Sequence, residues 1–206
     1  MIEVFKIYFK HPSIIVYYIV DALLLGYLLW SGAFFHHWYL ISLILVSPFY
    51  EWVIHKYILH GRINPSFKPL ADYWEKVHPG HHKDPANIDL IFAPTLIGLS
   101  VPFQFFLLFV LTGQGLDKAL MATFVCMSYY MFYEWNHLAH HLDFYEPVTA
   151  RGKLLKKAHK WHHFKNEHFW WGITSLWGDK ALGTYMDPKE VPMSTTVKNI
   201  LNKVEV

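Results

Sequence analysis

Four apolar stretches alternate with polar ones along the chain, and their lengths are those of helices that cross a bilayer. The first runs from Ile14 to Trp30, with Asp21 as its only charge. At about 1.5 Å per residue it spans the hydrocarbon core with little tilt. The second runs from Trp38 to about Leu59 through Pro48, which is expected to kink it. The third, Ile88 to Leu111, is punctuated by Pro94, Gly98 and Pro102, and reads as one kinked span in preference to a re-entrant hairpin. The fourth, Ala119 to Trp135, returns through the membrane. Between them lie a short turn (Ser31–His37), a polar, proline-containing loop (Gly61–Asn87) with a short helix expected over Ala71–Val77, and a second turn (Thr112–Lys118). After His141 no run is long enough to span.

The chain is therefore expected to be an all-α integral membrane protein with about four transmembrane helices, forming one domain over residues 1–206. Composition agrees: 53% of the 206 residues are hydrophobic and 18% aromatic, with a mean hydropathy of +0.18. A net charge of +2 with no basic stripe argues against a nucleic-acid partner. One cysteine, Cys126, allows no disulfide framework. Met1 to Lys10 mixes charged and apolar residues, and no cleavable signal peptide is expected.

Charge also orients the spans. The turns Ser31–His37 and Thr112–Lys118 hold one Lys or Arg between them, while ten of the eighteen basic residues follow His141. The positive-inside rule then puts both termini, the loop Gly61–Asn87 and the region after His141 on the cytoplasmic side, where the charges of the last suit a cap touching anionic headgroups and equally a merely solvated surface. Phe169-Trp170-Trp171 suits the headgroup boundary. Asp21 reads as an interior hydrogen-bonding group in preference to a chemical one.

The chemistry lies in the histidines. His159-x-x-His162-His163 puts three imidazoles at i, i+3 and i+4, positions that share a helix face, so the rings of one box are expected to converge on one point. The spacing recurs at His78, His81 and His82 and at His137, His140 and His141, and His55 and His60 form a looser pair. Eleven of fifteen histidines fall in these four boxes, all on the same expected membrane face. A lone histidine is more often a satisfied core or surface residue, but that reading does not explain one spacing repeated. A tetrahedral zinc takes four ligands, whereas ten or eleven imidazoles suffice for two ions with open positions. His55 and His60 would lie about 140° apart on an ideal α-helix, and Gly61 suggests that a terminal turn swings His60 back. Glu51, one turn before His55, is a candidate to orient its ring, against a bland alternative of pairing with Lys56 or Arg62; Glu134 stands in the same relation to the third box.

These boxes, with Tyr50-Glu51-Trp52-Val53-Ile54-His55, His81-His82-Lys83-Asp84-Pro85, His162-His163-Phe164-Lys165-Asn166 and Gly172-Ile173-Thr174-Ser175-Leu176-Trp177-Gly178-Asp179, resemble the fatty acid hydroxylase/sterol desaturase superfamily. The fatty acid 2-hydroxylase branch is the most similar, from about residue 50 to 187. The resemblance implies a cytoplasmic helical cap with a histidine-rich dimetal site of two iron ions, zinc being able to occupy the same imidazoles. It implies O2 as co-substrate and hydroxylation of a lipid acyl chain within the membrane, at C2 of a fatty acid or ceramide acyl group. Its ligands would be His55, His60, His78, His81, His82, His137, His141, His159, His162 and His163, with no catalytic residue beyond the metal centre. His140 is extra to the family pattern, as ligand, supporting group or neither, and Asp179 matches an acidic position that could orient a ligand ring. The branch often carries an amino-terminal cytochrome b5 domain, for which this chain has no room, so a separate electron donor is expected, cytochrome b5-like or a ferredoxin and reductase. A sterol or carotenoid desaturase or hydroxylase would use the same boxes. A metal transporter would also be histidine-rich, but its sites belong near the midplane.

Overall fold

The computed structural model describes residues 2–61, 63–64 and 66–200, and all regular structure among them is helical. In chain order the helices are α1 (Ile2–Lys10), α2 (Pro12–Trp30), α3 (Ala33–His37), a 3₁₀ segment (Trp38–Leu45), α4 (Ser47–Val53) running into a π-helical segment (Ile54–Leu59), α5 (Lys68–Glu75), α6 (Pro79–Lys83), α7 (Ile88–Ile91), α8 (Thr95–Leu111), α9 (Leu116–His141), α10 (Ala150–Phe164) and α11 (Trp177–Ala181). They fall into two compact units, Ile2–Ser47 with Pro94–Trp135, and Pro48–Ala93 with the residues from Asn136 onward.

The first unit is the apolar one. Its core joins Leu28 of α2, Ala33, Leu40, Met121 and Val125, with Phe34, Phe109 and Phe124 packed against them. Its outward side chains are also apolar: Leu23, Trp30 and Leu111 are 70%, 84% and 81% exposed, which suits lipid and not water. Two helical stretches, Pro12–Trp30 and Ile88–Leu111, are long and apolar enough to cross a membrane, and Ala33–Leu45 with Ser47–Leu59 makes a third if a 51° bend is allowed within one span. The bend expected at Pro48 is present, and falls at the break just before Ser47. Pro102, by contrast, sits inside a continuous α8. The stretch from Ala119 to Trp135 is helical as part of α9, but is not among those apolar spans. Asp21 accepts a hydrogen bond from the Ser128 hydroxyl at 3.1 Å, in keeping with an interior polar contact.

The second unit gathers the four boxes. Its own core is Leu155, Ala158, Trp170, Leu176 and Val191. Of the three residues expected at the headgroup boundary, Trp170 and Trp171 are buried packing residues instead, and Phe169 is half-buried against the same core. The fourth box rides on α10, whose first turn is capped by the Thr149 hydroxyl accepting from Gly152 N at 3.0 Å. The second box occupies the short α6, with His78 at its N-cap position and Pro79 opening its first turn.

Gly98 on α8 permits a close approach inside the first unit. A Cβ there would run into the Tyr17 hydroxyl and stand 2.9 Å from that of Tyr130, whereas a Cβ at Gly26 of α2 would meet nothing within 4 Å. Gly98→Ala is expected to destabilise the unit by about 1–3 kcal/mol, while Gly26→Ala is neutral or stabilising by about 0.5–1 kcal/mol from helix propensity. Thermal unfolding of the two variants in detergent checks this.

Candidate metal centre

Each box reaches the centre by a local geometry. At the first box the backbone leaves the α-helix: Ile54–Leu59 is π-helical, and His60 N donates to His55 O at 3.2 Å. That i→i+5 bond sets residues five apart above one another. The two rings, expected some 140° apart and rejoined by a terminal turn, therefore face the same way, their centroids 5.2 Å apart. In the other boxes α-helical periodicity does the work, since i and i+4 overlie one another while i+3 is displaced around the axis.

The ten imidazoles form two groups. One contains His55, His60, His78, His82 and His162, the other His81, His137, His141, His159 and His163, and in each group one nitrogen per residue lies within 4.8 Å of all the others. The three rings of a box thus do not converge on one point. His78 and His82 face one group and His81 the other; His159 and His163 face the second and His162 the first. Each group consists of two same-box pairs, their rings edge to face, plus one ring from a box that serves mainly the other group. His140 belongs to neither, although its ring lies 5.5 Å from that of His159.

Distances and burial fit metal ions. His55 Nε2 lies 3.1 Å from His78 Nε2, His78 Nε2 3.2 Å from His60 Nε2, and His60 Nε2 3.2 Å from His162 Nε2. In the second group His81 Nε2 and His141 Nε2 are 2.9 Å apart, and His141 Nε2 and His159 Nε2 2.7 Å. Nitrogens about 2.1 Å from one ion and about 90° apart are themselves about 3.0 Å apart. His82 Nε2 and both nitrogens of His163 are buried with no hydrogen-bond partner among the described residues, a cost that a cation removes. Burial lowers the pKa of His82 to about 3, and burial together with neighbouring imidazoles holds His81, His159, His162 and His163 well below the ordinary value. The rings are neutral at pH 7, the form that ligates.

Backbone carbonyls set tautomers in the first group. His55 Nδ1 lies 2.6 Å from Trp171 O, His162 Nδ1 2.8 Å from Phe169 O, and His82 Nδ1 3.1 Å from Val197 O. A carbonyl only accepts, so each Nδ1 carries the proton and each Nε2 presents a lone pair to the group.

Glu51 and Asp179 both act on the loop around Trp171–Thr174. Glu51 accepts from Ile173 N, from Thr174 N at 3.0 Å and from the Thr174 hydroxyl at 2.6 Å. Asp179 accepts from Trp171 N and Gly172 N, both at 2.8 Å, and from the Thr184 hydroxyl at 2.6 Å. Together they clamp the loop whose Trp171 carbonyl fixes His55. Trp170, with φ of 56°, makes the left-handed turn into that loop. Lys56, the alternative partner of Glu51, stands over the Trp52 ring instead, 4.5 Å from its centroid; Arg62 lies outside the described residues. Glu134 accepts from the Tyr130 hydroxyl. The carbonyls of Phe169, Trp171 and Val197 were not foreseeable, because a backbone oxygen has no residue type to mark it.

The fatty acid hydroxylase family profile matches residues 40–184. An Arabidopsis thaliana dihydroceramide fatty acyl 2-hydroxylase is 31% identical over 142 residues, 68% of this chain and 57% of that protein. A Saccharomyces cerevisiae ceramide very long chain fatty acid hydroxylase is 28% identical over 155 residues, 73% of this chain and 38% of that protein. The chain thus spans little more than half the length of the plant relative and less of the yeast one. The solved structure of full-length Scs7p, in which only the hydroxylase domain is visible, has the same fold: TM-score 0.66 at 21% identity, covering 87% of this chain and 69% of that one.

Asp179→Ala and Glu51→Ala each leave buried donors without their acceptor, at about 1–3 kcal/mol per group. Each substitution is expected to destabilise the protein by at least about 3 kcal/mol, read as a lowered unfolding midpoint in detergent.

Proposed function

The chain belongs to the fatty acid hydroxylase family, and from that premise we propose that it is a membrane-bound, O2-dependent di-iron oxidoreductase that hydroxylates a lipid acyl chain at C2, in a fatty acid or a ceramide. The observation that carries this reading is the pair of five-imidazole groups. The relatives named for 2-hydroxylation of dihydroceramide acyl chains support the substrate class.

In the first group His55, His60, His78, His82 and His162 would hold one iron, and in the second His81, His137, His141, His159 and His163 the other. When bound, paired irons would supply the oxidising power to insert an oxygen atom from O2 into an unactivated C–H bond, chemistry beyond any side chain. The chain's own residues bind, orient and exclude water. Buried imidazoles stay neutral, and the Trp171, Phe169 and Val197 carbonyls aim three of them. Glu51 and Asp179 hold the Trp171 loop in the position that this aim requires. The remaining oxygen atom leaves as water, which takes a pair of electrons and protons, so a separate donor, cytochrome b5-like or a ferredoxin with its reductase, completes the reaction.

The Lys and Arg distribution supports four spans with both termini and the metal centre on the cytoplasmic side. An acyl substrate drawn from the bilayer would present its carboxyl or headgroup end on that face, placing C2 nearer the metals than the methyl end.

His81→Ala and His162→Ala, with folding confirmed by unchanged size-exclusion profiles, are expected to abolish 2-hydroxylated lipid in an expressing strain. His36→Ala, an exposed histidine outside both groups, should leave it intact. Mass spectrometry of extracted lipids decides, and turnover retained by either box variant refutes the assignment.

A further inference from the structure

The two groups match in number but differ in support. In the first, Nδ1 of His55, His82 and His162 is each satisfied by a backbone carbonyl. In the second, Nδ1 of His81, His159 and His163 is buried without a hydrogen-bond partner among the described residues. Resting on the dimetal reading above, we propose that the two positions are inequivalent. His55, His60, His78, His82 and His162 form a tight position that fills first. His81, His137, His141, His159 and His163 form a weaker, exchangeable one.

The difference follows from preorganisation. A ring whose Nδ1–H is already bonded to a carbonyl has its Nε2 lone pair committed and its rotation restricted before an ion arrives. A ring without that partner must select tautomer and orientation as it binds, and leaves an Nδ1 proton buried and unbonded afterwards. Losing one such outer partner typically costs metal sites about 10–100-fold in affinity, and the second group lacks it on three of its five rings.

The supports of the first group are themselves held. Asp179 fixes the Trp171 amide, and the Phe169 amide donates to Asn166 O at 3.4 Å. The Val197 carbonyl sits in a stretch tied down by Ser194 N donating to Lys165 O at 2.8 Å and by Asn166 Nδ2 donating to Pro192 O at 3.1 Å. Val197 lies beyond residue 184, where the family match ends. The chain thus brings an element from outside the matched region to the tighter position alone.

The full chain, stripped of metal in detergent, is titrated with Zn²⁺ at chelator-buffered free concentrations, and bound zinc is counted by mass spectrometry. Two one-equivalent steps separated by at least about tenfold are expected. His163→Ala should remove or weaken the weaker step and spare the tighter, while His82→Ala should weaken the tighter step by at least about tenfold. A single two-equivalent step, or His163→Ala weakening the tighter step, overturns the ordering. If a variant does not fold, the shape of the unsubstituted protein's curve still decides. Binding of no zinc overturns the dimetal reading as well, whereas equal affinities with lipid hydroxylation intact overturn the ordering alone.

Discussion

Imidazole nitrogens facing one another at 2.7 to 3.2 Å in a buried space are the constraint on which the rest of this structure depends. Lone pairs so arranged repel unless protons or cations stand between them. Burial keeps these rings neutral, which leaves few protons for the purpose. An ion bound in either group would relieve that repulsion, so its binding energy would add to the stability of the folded state. The surrounding polar clamps make sense in that setting, since each removes freedom that a ring or its supporting loop would otherwise lose on binding.

Helical periodicity divides the ligands economically. Residues four apart stack along one line of a helix while the residue three on is displaced around it, so a single His-x-x-His-His box addresses two points. The second and fourth boxes do this in opposite senses, and each group ends with five rings. The first box has no third histidine and a spacing of five, which an α-helix would misalign. A π-helical segment, rare in general and enriched at functional sites, restores the alignment.

Support for the rings comes from backbone more than from side chains. Carboxylates of Glu51 and Asp179 accept from peptide N–H groups of one loop, and that loop presents a carbonyl to His55. Such relays are stiff because every member is buried and bonded. They tie the first group to the loop around Trp171 through His55.

The apolar runs, the four boxes, the bend near Pro48 and the polarity of the loops were legible in the amino-acid order, because each is a local periodicity or a residue type with a fixed preference. Box spacing also marked eleven histidines as a set, from which the family resemblance singled out ten. Which five share a group was not legible, nor was the exclusion of His140, since both depend on where α6, α9 and α10 come to lie beside one another. The roles of Glu51 and Asp179 were visible only as acidic residues near boxes; their partners are amides more than a hundred positions away in one case and a few in the other. Carbonyls of Phe169, Trp171 and Val197 carry no side-chain signature at all, so only the tertiary structure decided which rings are aimed before a metal binds. Sequence determines the supply of ligands through local spacing, and long-range packing determines their sharing and their support.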